Sequence, residues 1–110
     1  MQHPAYTNPW YRDDDQSILE IYDVETGERT VVAEMDYLIE APNWTPDGKA
    51  LVYNSNGCIY RLELETGEIT KIESGFVNDC NNDHVLSPDG QRIAVSHATK
   101  EDGLSRIYIL

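Results

Sequence analysis

Trp44-Thr45-Pro46-Asp47-Gly48-Lys49 decides the fold, because it returns further on as Leu86-Ser87-Pro88-Asp89-Gly90-Gln91. The step from Thr45 to Ser87 is 42 residues. In each copy the proline presets φ near −65° for the first central position of a type I turn. The glycine then takes the left-handed position from which the chain rejoins a strand. A second pair repeats around this one: Glu25-Thr26-Gly27-Glu28 returns 40 residues on as Glu65-Thr66-Gly67-Glu68. Both are hairpin turns with glycine where φ is positive. A third element occurs three times: Ile18-Leu19-Glu20-Ile21-Tyr22, Cys58-Ile59-Tyr60-Arg61-Leu62 and Arg106-Ile107-Tyr108-Ile109-Leu110.

A period of about 40 residues fits propeller blades and some helical solenoids. The segments between the turns choose between them. They are short, rich in β-branched and aromatic residues, and bounded by Gly, Pro, Asn or Asp. None is a periodic stretch of the length a helix needs. The fold class is all-β. One repeat predicts four strands, at 39–44, 50–54, 58–64 and 69–73, which form one antiparallel blade. Two strands precede it (18–24 and 29–34) and three follow (83–87, 92–96 and 105–110). The expectation is a partial β-propeller of nine strands, about two and a quarter blades. Residues 1–16 are an extended arm. Residues 17–110 are the incomplete propeller, divided into a half blade (17–34), a full blade (35–74) and a three-stranded blade (75–110).

The two Pro-Asp-Gly segments, each followed by a short apolar strand and then by an Ile-Tyr strand, resemble the Pro-Asp repeat of TolB-like β-propellers. Asp23-Val24-Glu25-Thr26-Gly27-Glu28 fits the same pattern. The resemblance covers residues 18–110. It implies a propeller of more blades than this chain supplies, with the rim and central channel used for recognition. It also implies that the first strands, 18–34, are suited to closing a ring. Nine strands leave sheet faces and a strand edge uncovered, and such surfaces drive association. A homo-oligomer completing the ring is therefore expected.

Composition narrows the partners. The chain has 110 residues, with 20 acidic and 8 basic, for a formal net charge of −12. A field of that sign opposes nucleic acid and anionic membrane surfaces, and it favours a basic protein or peptide partner. No apolar run is long enough to cross a bilayer as a helix. No leader is visible at the start as written, so the expectation is a cytoplasmic chain, or a periplasmic one if a leader has been removed. Cys58 and Cys80 are too few for a disulfide framework and predict two free thiols, with a single bridge as the alternative.

The candidate site lies on the rim. Asn78-Asp79-Cys80-Asn81-Asn82-Asp83-His84 is the densest polar group and runs directly into a channel-lining strand. His97 opens the next rim loop. Asn81, Asn82, Asp83, His84 and His97 are thus the binding candidates. His84 and His97, with Asp83 or Asp79, have the ligand chemistry for a divalent metal such as Zn or Mn. The competing expectation is Asx turns and structural histidine hydrogen bonds, with no cofactor. Asp13-Asp14-Asp15 lacks the Gly and terminal Glu of an EF-hand and reads as a solvated run. Trp44 and Tyr53 are expected between blades, and Tyr6, Trp10 and Tyr11 are expected to clamp the arm to a blade. No hydrolase elbow, zincin, P-loop or dinucleotide motif occurs. The expected function is a non-enzymatic protein or ligand binding scaffold. The alternative is a metal-assisted hydrolase or lyase acting on carbohydrate through the channel histidines.

Overall fold

A computed structural model describes residues 12–110. The expected clamp formed by Tyr6, Trp10 and Tyr11 lies outside the described residues. Nine antiparallel strands form three sheets, with no helix among the described residues. The chain divides into two compact units at residues 38 and 39.

The first unit holds a hairpin of β1 (Ser17–Tyr22) and β2 (Arg29–Met35). Its turn is organised by Asp23, whose Oδ1 accepts the N–H groups of Glu25 at 2.9 Å and Thr26 at 3.1 Å. Those bonds hold the Asp23 carboxyl below the usual range. Gly27 has φ +75° and donates to the Asp23 carbonyl at 2.8 Å. Leu19, Met35 and Tyr37 are buried, while Ile18, Tyr22 and Val31 are exposed. Before the hairpin, the acidic run folds into an exposed turn, with Arg12 N–H donating to Asp15 Oδ2 at 2.9 Å.

The second unit holds a four-stranded and a three-stranded sheet. The first orders β3 (Glu40–Trp44), β4 (Ala50–Ser55), β5 (Cys58–Glu63) and β6 (Ile69–Lys71) in sequence. The second orders β7 (Cys80–Leu86), β8 (Ile93–Ala98) and β9 (Ser105–Ile109). Their opening turns repeat the same carboxylate bonds. Thr45 Oγ1 donates to Asp47 Oδ1 at 2.7 Å, and Ser87 Oγ donates to Asp89 Oδ1 at 2.6 Å. Each carboxylate also takes the next backbone N–H, from Lys49 or Gln91, at 3.0 Å. The hydroxyl bonds are the main reason that both carboxyls sit below their usual range. Gly48 and Gly90 share φ +72°, the left-handed position the turn requires.

The two sheets pack face on face. Val52 and Ile59 of the first join Cys80, Ile93 and Val95 of the second and Val77 of the β6–β7 connection in one buried cluster, with Leu86, Tyr108 and Leu110 at its margin. Side chains alternate along a strand, so the other face of β7–β9 carries Val85, Ile107 and Ile109, all exposed. Both cysteines are free thiols. Cys80 lies in the cluster, and burial pushes its thiol up to about 11.

Three expectations are corrected. β7 starts at Cys80, three residues early, because the Cys80 N–H bonds to the Gly57 carbonyl at 2.9 Å and Cys80 pairs with His97. The register then slips between Cys80 and His84, so Asn81–Asp83 form an irregular stretch inside the strand rather than a loop before it. Trp44, expected to be packed between blades, is instead 51% exposed, while Tyr53 is fully buried and stacked on Tyr60.

Candidate functional site

His84 sits where the two sheets meet. Its Nδ1 lies 2.8 Å from Asn43 Oδ1 on β3, and its Nε2 lies 3.1 Å from Asn54 Oδ1 on β4. Asn54 is itself held, donating from Nδ2 to Glu40 Oε1 at 3.4 Å. Two amide oxygens facing one ring suit an imidazolium, but burial disfavours charge and lowers the His84 pKa, opposed only in part by Asp83. In the neutral ring one nitrogen must accept. Only the nitrogen that carries the proton can donate to its facing amide oxygen, Asn43 Oδ1 at Nδ1 or Asn54 Oδ1 at Nε2. His84 is a polar pin between sheets.

Beside it, Asn81 Oδ1 accepts the Asp83 N–H at 2.8 Å, an Asx turn, and Asn81 Nδ2 donates to Ser96 Oγ at 3.3 Å. Asn82 and Asp83 are exposed on the open side of the sheet and border a shallow cavity of about 350 Å³.

His97 lies in different surroundings. Its Nδ1 accepts the Asp79 N–H at 3.1 Å, so the neutral ring keeps its proton on Nε2. Its ring meets Phe76 and Tyr108 edge-on, at centroid distances of 6.0 and 5.6 Å, and those two meet each other at 5.5 Å. Edge-to-face contact sets the positive rim of one ring against the negative face of the next. The triad floors a cavity of about 470 Å³. Asn78 borders it on the side of the β6–β7 connection, and Thr99, Lys100, Glu101 and Arg106 border it on the side of the β8–β9 hairpin.

That hairpin explains the cavity. The Thr99 N–H bonds to the Leu104 carbonyl at 3.1 Å, and the Gly103 N–H bonds to the Thr99 carbonyl at 2.8 Å. The same pair of bonds closes Asp23–Glu28 and Glu63–Glu68, so one loop form is used three times. Arg106 reaches back in a fork, Nη1 to Asp102 Oδ1 at 2.9 Å and Nη2 to Asp102 Oδ2 at 2.7 Å, with Nη1 also on Thr99 Oγ1 at 2.5 Å. This fork, first among several donors, drives the Asp102 carboxyl far below its usual range.

The expected metal trio is not assembled. The ring nitrogens of His84 face asparagine amides, His97 faces Asp79 backbone and aromatic rings, and Asp83 is exposed near the Asn81 turn. Among the described residues no three His, Cys, Asp or Glu side chains converge on a point where they could hold a metal ion. Of the five binding candidates, His97 lines the larger cavity and Asn82, Asp83 and His84 the smaller. Sequence reasoning missed Phe76, Tyr108 and Arg106. The available signal was the match of Tyr108 to Tyr60 in the repeat, together with a glycine at position 103 matching Gly27 and Gly67.

No protein-family profile matches the chain. It is 46% identical over 97 residues to an uncharacterized protein of Agrobacterium fabrum, covering 86% of this chain and 32% of that protein. It is 33% identical over 84 residues to the Tol-Pal system protein TolB of Francisella tularensis, covering 73% of this chain and 19% of the relative. A solved Agrobacterium tumefaciens structure, provisionally named TolB, superposes with a TM-score of 0.80 at 47% identity, covering 86% of this chain and 34% of that one. The chain thus spans about a third or less of the length of the proteins it matches. With its repeated Pro-Asp-Gly turns and three antiparallel sheets, the chain is a TolB-like β-propeller segment.

Proposed function

We propose that the chain is a non-enzymatic binding scaffold whose recognition point is the rim pocket at His97. One observation carries the reading: an exposed aromatic, Phe76, stands in an edge-on ring triad beside a cavity of about 470 Å³ bordered by polar side chains. A concave site that combines an apolar floor with a few placed polar groups is the usual form of a ligand pocket. The scaffold is completed by further blades or by a second copy, because the face bearing Val85, Ile107 and Ile109 is apolar and open. The charge of −12 favours a basic partner over nucleic acid or an anionic membrane. The likeness to Tol-Pal proteins supports a periplasmic setting.

The test is selection of binders from a displayed random-peptide library, followed by amide mapping with NMR. Shifts confined to residues 76–79 and 97–108, and lost in Phe76→Ala, support the reading. Binders that map elsewhere on the chain overturn it. Light scattering separates the routes to completion: a defined multiple of 12.5 kDa supports self-association, and a dispersed monomer rules it out.

A further inference from the structure

The walls of the rim pocket restrict the charge of what fits. Arg106 borders the cavity, but both arms of its fork are taken by Asp102, so it is not available as a carboxylate clamp. Lys100 is the remaining cation, and Glu101 stands next to it on the same wall. The four charges cancel locally. An anionic ligand therefore meets no net attraction in the pocket and approaches against a chain of charge −12. A cationic ligand is drawn by that field but finds no carboxylate without a basic neighbour, because Asp102 is tied to Arg106 and Glu101 adjoins Lys100. A neutral ligand needs no charged partner.

The rest of the lining sets its chemistry. The ring triad offers a negative aromatic face to weakly positive C–H groups. Phe76 is 68% exposed, so its ring is accessible. Asn78, Lys100 and Glu101 supply donors and acceptors in mixed order, while the Thr99 hydroxyl is committed to Asp102 and Arg106. A molecule with one apolar C–H face and a periphery of hydroxyls, each both donor and acceptor, matches that lining. A cavity of about 470 Å³ falls in the size range of small-molecule sites. Resting on the binding-scaffold reading and naming its ligand, we infer that the rim pocket between Phe76 and the β8–β9 hairpin binds a neutral sugar of one or two pyranose rings.

The experiment is an NMR amide titration of the whole chain with maltose and N,N′-diacetylchitobiose, beside digalacturonate as anion and spermidine as cation. A neutral disaccharide is expected to shift residues 76–79 and 99–108 saturably. Phe76→Ala is expected to weaken it by about ten-fold, and Glu101→Gln to weaken it without disturbing the ring triad. Phe76 is exposed, so its truncation leaves the fold intact. Charged probes moving the same amides while neutral ones do not would overturn the sugar and leave the scaffold reading standing. Binding there by library peptides alone would do the same. If neither sugars nor peptides act at these residues, both readings fall.

Discussion

The two sheets of the second unit start from the same turn and end in different situations. Thr45-Pro46-Asp47-Gly48 and Ser87-Pro88-Asp89-Gly90 share their backbone and carboxylate hydrogen bonds, and Ile59-Tyr60 aligns with Ile107-Tyr108 on the third strand of each. Yet Ile59 is 0% exposed and Ile107 is 69% exposed. The local code is identical, and what differs is the neighbour. Ile59 is covered by β7–β9, whereas the equivalent face of β7–β9 has nothing over it among the described residues. Blade structure is therefore a local property, and blade stability is supplied by the next sheet.

The sharpest test of that difference truncates both isoleucines. Ile59→Ala removes a fully buried side chain and is expected to cost about 3 kcal/mol by urea denaturation. Ile107→Ala is expected to change stability by less than about 0.5 kcal/mol. If Ile107→Ala costs as much as Ile59→Ala, its face is covered in solution and the two sheets are alike after all. Ile107→Asp read by light scattering then says whether a second copy supplies the cover, since a charge there would break the assembly.

The second contrast is between the loops that join the middle strands. Asn56-Gly57 is a two-residue turn with both φ positive, +46° and +84°, as a type I′ hairpin needs. A Cβ on Gly57 would lie 2.2 Å from the Asn78 carbonyl oxygen. The longer β8–β9 loop has Gly103 at φ +71° with nothing within 4 Å of the added carbon. Gly57→Ala combines the left-handed penalty with a backbone collision and is expected to lose about 3 kcal/mol; Gly103→Ala bears only the first, about 1 kcal/mol. Equal losses in thermal unfolding would show that the tight approach of the 75–79 segment is unimportant.

That loop difference also marks where the sequence stopped being legible. Turn chemistry and strand alternation are local, so Pro46-Asp47-Gly48, Thr66-Gly67 and the Ile-Tyr strands place all nine strands to within a few residues. The candidate site depends on pairings between distant segments. Asp79 meets His97 across 18 residues, and His84 meets Asn43 across 41. No spacing rule announces these pairings. The bulge at Asn81–Asp83, which turns His84 toward asparagines, is likewise a register effect that composition does not encode. His97 is legible as a rim residue, but its aromatic partners need the fold.

A smaller effect tests the pin at the junction. His84→Ala leaves the Asn43 and Asn54 amides without their partner and is expected to cost about 2 kcal/mol. The pH dependence is more specific. The folded pKa of His84 is lowered by burial, so below about 6.5 the unfolded chain binds more protons than the folded one. Stability is full above that pH and falls as the pH drops toward the depressed folded value. His84→Gln should flatten this slope between pH 7 and 5 in denaturation midpoints. A slope unchanged in the variant would assign the pH response to other groups.

The smallest expected effect separates two aspartates that both close turns. Asp102 is exposed, and its ties to Arg106, Leu104 and Thr99 depress its pKa. Those ties are intact above about pH 4 and are lost only as pH falls through the lower folded value. Exposed pairs of this kind contribute little to global stability. Asp102→Asn should therefore leave the unfolding midpoint in place while speeding amide exchange at Leu104, whose N–H donates to Asp102 Oδ1 at 3.0 Å. Asp47→Asn should speed exchange at Lys49 alone, because its Oδ1 anchors that N–H at 3.0 Å. The consequence differs by location: loosening residues 99–104 also frees Arg106 from its fork and moves one wall of the rim pocket. If sugar or peptide binding at Phe76 is unchanged in Asp102→Asn but weakened in Asp47→Asn, that wall is not part of the site.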